Sequence, residues 1–383
     1  MKQNLNGKEA GLQSLKIIIS GGGTGGHIFP AIAIANAIKG LRPNTEFLFV
    51  GAEGKMEMEK VPAAGYRIEG LWISGFQRRL TFSNLAFPFK VISSLMKAQK
   101  ILRRFKPHAA IGTGGFASGP MLHVAANKGV VTLIQEQNSY PGITNRILSK
   151  KVDKICVAYA GMEKYFPKEK ILLTGNPVRQ DILNLDGKRD RGLETFGLSS
   201  DKKIILVIGG SLGARTINES IIKCLDAFEK NNIQLIWQTG KGFYETAKQA
   251  VAKYENKGIH AFDFIQKMDH AYAVADMVIS RAGASSVSEL CLVKKPCILI
   301  PSPNVAEDHQ TKNAMALVTY NAAVLIKDID AREKLCAEAL SLINDPEQCH
   351  KLSENIARLA FQDSANVIAN EVLSLINSKY PSP

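Results

Sequence analysis

Leu15-Lys-Ile-Ile-Ile-Ser-Gly-Gly-Gly-Thr-Gly-Gly-His-Ile-Phe-Pro-Ala-Ile-Ala-Ile-Ala-Asn-Ala-Ile38 is the stretch that decides the fold. An apolar, β-branched run from Leu15 to Ile19 meets a glycine loop and then an alanine- and isoleucine-rich segment opened by Pro30, which reads as strand, tight loop and helix. At such a junction the first-turn N–H groups lack helical partners and the macrodipole favours negative charge. Missing Cβ atoms also let an anion approach the backbone. The pattern recurs at Gly112 to Pro120 and at Gly209 to Ala214. Phosphates or pyrophosphates are the implied ligands. The alternative for any one loop, glycines that only permit a tight turn, weakens when three loops agree.

Working outward, Phe47-Leu-Phe-Val, Val130-Val-Thr-Leu-Ile, Ile155-Cys-Val-Ala and Ile171-Leu-Leu-Thr read as further strands of the first half. Around Gly175-Asn-Pro-Val-Arg and the charged run Asp186 to Arg191 the pattern breaks, then restarts at Lys203-Ile-Ile-Leu-Val-Ile. The second half continues with Gln234-Leu-Ile-Trp, Ala261-Phe-Asp-Phe-Ile, Met277-Val-Ile-Ser and Cys297-Ile-Leu-Ile. Alternating strands and helices predict an α/β protein of two Rossmann-like domains, each with a parallel sheet. The expected divisions are a polar extension over 1–14, domains over 15–178 and 179–360, and a C-terminal helix over 361–383. A length of 383 residues and 45% apolar content suffice for two cores. Six cysteines without a C-x-x-C suit reduced, buried thiols. Neither a signal-like h-region nor an uncharged apolar run long enough to span a bilayer occurs, so neither export nor a membrane span is expected.

Charge divides the halves. Through Val178 there are 24 Lys and Arg against 10 Asp and Glu, and beyond it 24 against 25, so the net +13 belongs to the first half. Gly70 to Gln135 contains no acidic residue yet carries Arg78, Arg79, Lys90, Lys97, Lys100, Arg103, Arg104, Lys106 and Lys128. Between Leu71 and Lys106 these cations interleave with apolar residues, which predicts a face for an anionic membrane leaflet, with Arg78, Arg79, Lys90, Arg103 and Arg104 as its cations. An ordinary amphipathic helix over Lys97 to Lys106, its apolar side in the core, is the alternative. A nucleic-acid-binding role would also suit the charge, but no recognisable motif accompanies it.

Gly21-x-Gly23-x-x-Gly26 formally matches the dinucleotide fingerprint, with only Glu53 as a late acidic partner. A P-loop is absent, because His27 stands where its lysine would be. An imidazole at a helix start suits a general base, and equally a capping or packing histidine. Ser280 to Glu289 places a second small-residue loop at a helix start, where Glu289 could accept hydrogen bonds from a ribose diol or complement the helix dipole. Pro301 to Asn313 is dense in hydrogen-bonding side chains, as a sugar-reading loop would be. Asp328-Ile-Asp330 is a D-x-D, a pattern that can hold a metal-bound diphosphate, but it lies outside every glycine loop in a charged segment and reads as a solvated turn.

Taken together, Gly21 to Ala31, Gly112 to Pro120, Gln135-Glu-Gln-Asn138, Gly175 to Arg179, Gly209 to Ala214, Arg281 to Leu290 and Glu307 to Ala314 closely resemble the MurG family of N-acetylglucosaminyltransferases. The resemblance implies a GT-B fold with a ligand cleft between its domains, UDP-GlcNAc as donor, lipid I as polyprenyl-linked acceptor, lipid II and UDP as products, and no cofactor or obligatory metal. It implies diphosphate and donor contacts at Thr24, Gly25, Gly26, Arg179 and Ser211. Uracil falls to the backbone of Ile265, and ribose to Glu289. The GlcNAc hydroxyls fall to Asn138, the Ala284 amide and Gln310, within a binding run that takes in Ser285, Ser286, Val287 and Ser288. His309 stands beside Gln310 in the same loop. His27 is the implied catalytic base. A peripheral position on the cytoplasmic face of the cell membrane follows from the acceptor, and no nucleic acid is expected as partner.

Overall fold

The computed structural model describes residues 14–74, 87–210 and 213–381. The chain forms two compact units, one of residues 1–137, 141–177 and 363–383, the other of 138–140 and 178–362.

In the first unit the chain runs β1 (Lys16–Gly21), α1 (Gly25–Leu41), β2 (Glu46–Ala52), α2 (Glu57–Ala63), β3 (Arg67–Leu71), α3 (Phe87–Phe105), β4 (Ala109–Gly114), α4 (Ser118–Asn127), β5 (Val131–Glu136), α5 (Ile143–Leu148), β6 (Lys154–Val157) and β7 (Ile171–Leu173). The strands pair in the order β3-β2-β1-β4-β5-β6-β7. Each pairing is parallel, with Ile18 facing Leu48 on one side and Ala110 on the other. Because side chains alternate across a strand, Ile17 and Ile19 join a core that includes Ile28, Ile34 and Ile38 of α1, whereas Ile18 joins one with Ala98 and Ile101 of α3. A sheet covered on both faces explains why its strands are nearly unbroken apolar runs.

The second unit follows the same plan: α6 (Arg189–Phe196), β8 (Lys203–Ile208), α7 (Arg215–Lys230), β9 (Ile233–Gln238), α8 (Tyr244–Val251), β10 (Ile259–Phe262), α9 (Met268–Val274), β11 (Met277–Ser280), α10 (Ala284–Val293), β12 (Cys297–Leu299), α11 (His309–Val318), β13 (Val324–Leu325), α12 (Ala331–Ile343) and α13 (Pro346–Ala357). Its sheet order is β10-β9-β8-β11-β12-β13, again parallel throughout. Ile205 and Val207 face α7, while Ile204 and Leu206 share a core with Tyr272 and Leu290.

From Leu352 to Tyr380 the chain is two helices. It breaks after Ala357, and Asp363, at φ 64°, precedes α14 (Ser364–Lys379). This last helix belongs to the first unit, where Ile368, Ala369, Val372 and Ile376 fill the α1 core. Both sheets reverse strand order at their centre, between β1 and β4 and between β8 and β11. In open α/β sheets, ligands bind outside the carboxyl ends of the strands at such a point.

Candidate functional site

At the first unit's switch point the loops after β1 and β4 interlock. Gly115, at φ +82°, packs so closely that a Cβ there would lie 2.2 Å from the Gly22 carbonyl oxygen. Thr113 Oγ1 donates to the His27 carbonyl at 2.9 Å. Thr24 is the N-cap of α1 and Gly25 and Gly26 its first two residues. His27 is therefore the third residue of the helix, and its imidazole caps nothing. Its Nδ1 instead faces Gln137 Oε1 at 3.1 Å.

That contact fixes the tautomer. Gln137 Nε2 donates to the Thr113 carbonyl at 2.7 Å and lies 3.2 Å from the Gln135 carbonyl, so the amide oxygen is the atom turned to the imidazole. An oxygen there requires Nδ1 to carry the proton, which leaves the lone pair of the neutral ring on Nε2. Behind it, Gln135 Nε2 donates to Asn176 Oδ1 at 2.8 Å and Asn176 Nδ2 to the Gln137 carbonyl at 2.9 Å. A connected buried amide network of this kind holds the ring in one orientation. Glu57, completely buried, accepts from Gly23 N–H and Ala52 N–H, each at 2.9 Å.

In the second unit, Ala284, Ser285 and Ser286 form the start of α10, with Gly283 as its N-cap. Glu289 lies in the second turn, past the groups whose partial charge a first-turn acid would complement. Its partner is Tyr272, fully buried, whose hydroxyl donates to Glu289 Oε2 at 2.9 Å. Burial pushes the Glu289 carboxyl up to about 7, against the pull of the Tyr272 bond and the Arg179 charge, and Asp181 adds to the rise. Burial also drives the Tyr272 hydroxyl well above its ordinary range, with the Glu289 charge adding to it. Arg179 Nε donates to Asp181 Oδ1 at 2.7 Å. Desolvation opposes the Arg179 charge, but that bond and the nearby Asp181 and Glu289 carboxylates outweigh it, so its pKa rises. Arg179 and Glu289, 110 positions apart, thus share one electrostatic cluster.

Other expected contacts gather in the same unit. The Ile265 N–H donates to Gln238 Oε1 at 3.0 Å, and Gln238 Nε2 reaches the Gly210 carbonyl at 3.3 Å. The Ile265 N–H is thereby occupied within the protein. Gln310 Oε1 accepts from Ser302 N–H at 2.9 Å, closing the loop after β12. Asn138 Oδ1 accepts from Asn313 Nδ2 at 3.2 Å, and Asn313 Oδ1 accepts from Ser139 N–H at 3.0 Å. His309 packs edge-on to Tyr140, with ring centroids 6.1 Å apart. Ser288 Oγ donates to the Ala284 carbonyl at 3.1 Å.

Several expectations change. Val287 is a core residue, 1% exposed, and its N–H is bonded to the Gly283 carbonyl at 2.9 Å, so neither its side chain nor its amide is left for a ligand. Asp328 is not a solvated turn residue. It accepts from Arg281 Nη1 at 2.5 Å and Thr216 Oγ1 at 3.0 Å, while Asp330 pairs with Lys334 at 3.4 Å. Asp328 therefore anchors Arg281 in the turn before α10, and the D-x-D does not form a free carboxylate pair. Ser211, Arg78 and Arg79 lie outside the described residues. Glu57, Gln137, Gln238, Tyr272 and Asn313 had escaped a role in the sequence. Gln137 and Asn313 stand inside quoted motifs, while Glu57, Gln238 and Tyr272 have no local signature.

The basic segment resolves into α3, which buries Ser94, Ala98, Ile101 and Leu102 and leaves Phe89, Ile92 and Met96 more than half exposed. At 100° per residue these three share one outward stripe with Lys100 and Arg103. The cations are not equivalent. Lys97 pairs with Glu53 at 2.8 Å and Arg104 with Glu69, acids that lie before the acid-free segment, so Arg104 is largely neutralised in place. Lys90 donates to Ser74 Oγ at 3.0 Å and lies 5.7 Å from the centroid of the exposed Trp72 ring. Arg103 has no acidic partner among the described residues. No helix among them is long and apolar enough to cross a membrane.

Residues 17–157 match the glycosyltransferase family 28 N-terminal domain, and residues 204–368 the family 28 C-terminal domain. A Phocaeicola vulgatus protein named UDP-N-acetylglucosamine--N-acetylmuramyl-(pentapeptide) pyrophosphoryl-undecaprenol N-acetylglucosamine transferase is 57% identical over 364 residues, 95% of this chain and 97% of its own. A protein of the same name from Cytophaga hutchinsonii is also 57% identical over 364 residues, with the same two shares. The crystal structure of Acinetobacter baumannii MurG covers 94% of this chain and 99% of its own, with a TM-score of 0.76 at 24% identity, a likeness of fold. On two matched domains and identity above half over nearly the whole length, the chain belongs to the MurG family of family 28 glycosyltransferases.

Proposed function

We propose that the protein is an inverting N-acetylglucosaminyltransferase that moves GlcNAc from UDP-GlcNAc to the MurNAc 4-hydroxyl of undecaprenyl-pyrophosphoryl-MurNAc-pentapeptide, lipid I, giving lipid II and UDP in peptidoglycan synthesis. The observation that carries this reading is the 57% identity, over 95% of the chain, to relatives named for that transfer. The residue roles are argued from the geometry. His27 Nε2, left basic by the Gln137 contact, takes the proton of the acceptor hydroxyl as its oxygen attacks the anomeric carbon. The bond from that carbon to the diphosphate breaks, inverting the centre, and UDP leaves with the electron pair. Charge developing on the diphosphate meets the Arg179 guanidinium and the helix N-termini at Thr24 to Gly26 and Ala284 to Ser286. Each well-aimed donor contributes about 2 to 4 kcal/mol. Glu289, as carboxylate, accepts from the ribose diol, and the Ile265 carbonyl meets the uracil. Asn138 and Gln310 serve the GlcNAc hydroxyls.

The acceptor's polyprenyl chain stays in the bilayer, so the enzyme works as a peripheral protein on the cytoplasmic face. The α3 stripe is its docking surface: Phe89, Ile92 and Met96 enter the headgroup boundary, and Lys100 and Arg103 meet anionic headgroups at about 1 kcal/mol each. Incubation with lipid I and radiolabelled UDP-GlcNAc should yield labelled lipid II with an inverted, β linkage. Label transfer that fails with lipid I, or a retained α linkage, would refute the reading.

A further inference from the structure

Glu57 sits beneath the first glycine loop with no exposed surface, and no cation pairs with it among the described residues. Its oxygens accept two backbone N–H groups, from Ala52 at the end of β2 and from Gly23 in the loop. The loop is built around it. A Cβ on Gly22 would lie 2.0 Å from Glu57 Oε1, and one on Gly51 2.5 Å from its Cγ. Mere filling of this space would not need a carboxylate, whose burial is costly unless its bonds are made.

The Gly22–Gly23 peptide gives the carboxylate its reach. A trans peptide is one rigid plane with its N–H and C=O pointing to opposite sides. Glu57 holds the N–H, and the carbonyl oxygen of the same plane is the atom against which Gly115 packs. Gly114, the neighbour of Gly115, backs onto the His27 imidazole: a Cβ there would lie 2.8 Å from Nδ1 and Cε1. A chain of close contacts thus runs from Glu57 through one peptide plane and the second loop to the His27 ring.

We infer that Glu57 is a positioning residue for the transfer reaction, fixing the first glycine loop so that the Gly25 and Gly26 N–H groups and the His27 imidazole are held in their working places. The inference rests on the proposed transfer, in which His27 is the base. Glu57→Gln keeps the shape but offers one oxygen to two N–H groups, turning an NH2 against the other. Its kcat should fall by about 10- to 100-fold, the scale of a displacement near 1 Å in a reacting group. UDP-GlcNAc affinity by calorimetry should fall by much less than kcat, as the Arg179–Glu289 cluster of the second unit is untouched and the Gly25 and Gly26 N–H groups act chiefly on charge that develops in the transition state. Glu57→Asp, shorter by one methylene, should recover part of the loss if the loop follows. Gly22→Ala probes the same plane from the other side, and Gly22→Ala with Glu57→Gln should be scarcely worse than either alone.

Wild-type kcat in folded Glu57→Gln would overturn the inference. So would independent, multiplying losses in the double variant, or a fall in UDP-GlcNAc affinity as large as the fall in kcat. Loss of the folded state in both single variants, seen as a lost cooperative melt, would assign Glu57 to stability alone and overturn it equally. An inactive wild-type protein would instead count against the proposed transfer.

Discussion

The two units share one strand order and one switch point yet finish them with different chemistry. In the first, the loop after β1 is braced by a carboxylate, Glu57, and the site's titratable side chain is an imidazole held by an amide. In the second, the loop after β8 is braced by a carboxamide, Gln238 at the end of β9, and the site's titratable side chain is a carboxyl held by a phenol. The surfaces differ as well, since the excess positive charge lies entirely in residues 1–178. The common frame therefore provides free helix N-termini and close backbone approach, and a few side chains reaching under the loops decide what each half does. In the proposed transfer the first half takes a proton and the second holds the nucleotide sugar.

The largest expected effect breaks the comparison on the first side only. His27→Ala should lower kcat by about 10² or more while leaving UDP-GlcNAc affinity nearly unchanged. Gln137→Leu removes the acceptor for Nδ1–H and frees the ring to turn, and should cost about tenfold in kcat with the same spared affinity. Steady-state kinetics beside calorimetry check both. A UDP-GlcNAc affinity that falls in step with kcat in either variant would erase the division of labour.

On the second side, Glu289→Ala should weaken UDP-GlcNAc binding by about 1.5 to 3 kcal/mol, the scale of hydrogen bonds to a charged group. Because the free protein holds the Glu289 carboxyl up to about 7, the ribose-accepting carboxylate is incompletely formed below neutrality. Affinity should rise with pH toward that value and level off above it, and Glu289→Gln should lose this dependence. UDP-GlcNAc is the ligand of choice, since its diphosphate diester does not titrate in the same range. Stability of the free protein runs the opposite way. The folded carboxyl binds its proton more tightly than the unfolded one, whose ordinary value is 4.5, so stability falls as pH rises from there to about 7. A thermal melt that climbs over that interval would contradict the assignment.

The D-x-D sharpens the contrast between frame and chemistry. Asp330→Ala should leave turnover intact, and turnover should persist in chelator, because the diphosphate charge is assigned to Arg179 and helix N-termini. Asp328→Ala leaves the Arg281 guanidinium, largely buried, without its carboxylate. It should destabilise by about 3 kcal/mol, seen in the melt and not in the metal dependence. Loss of turnover in chelator that magnesium restores would refute the first claim, and an unchanged melt the second.

The parts legible in the sequence were those whose physics is local. A parallel sheet buried on both faces writes itself as apolar runs, and a loop that must admit an anion writes itself as glycine, so the strands and the three glycine loops stood out before any geometry. Glu57 was not legible because its reason for being there, the Gly23 N–H, lies 34 positions away and nothing beside Glu57 announces it. Tyr272 is likewise an ordinary core tyrosine until Glu289 is set against it. Asp328 misled because a charged, polar neighbourhood resembles solvent when Arg281 is 47 positions distant. Charge counting misled for the same reason: the acid-free segment borrows Glu53, just past β2, and Glu69 of β3.

That borrowing sets up the smallest effect and the finest test of the membrane face. Arg103 and Arg104 are adjacent in sequence and both exposed on α3, so counting charges makes them equal. Their surroundings do not. Arg104 is paired with Glu69, and a headgroup would have to compete with a carboxylate already in place. Arg103 lies on the stripe of Phe89, Ile92 and Met96 with its charge unopposed among the described residues. Arg103→Gln should therefore weaken binding to vesicles of anionic lipid by about 1 kcal/mol, roughly fivefold, at low salt. Arg104→Gln made together with Glu69→Gln, which removes the pair without exposing a carboxylate, should change it by less than about half that. Both effects should shrink as salt shortens the screening length, whereas replacing Phe89, Ile92 and Met96 by serine should weaken binding at every ionic strength. Equal losses from the two arginine variants in a sedimentation assay would show that net charge, and not the α3 stripe, governs docking.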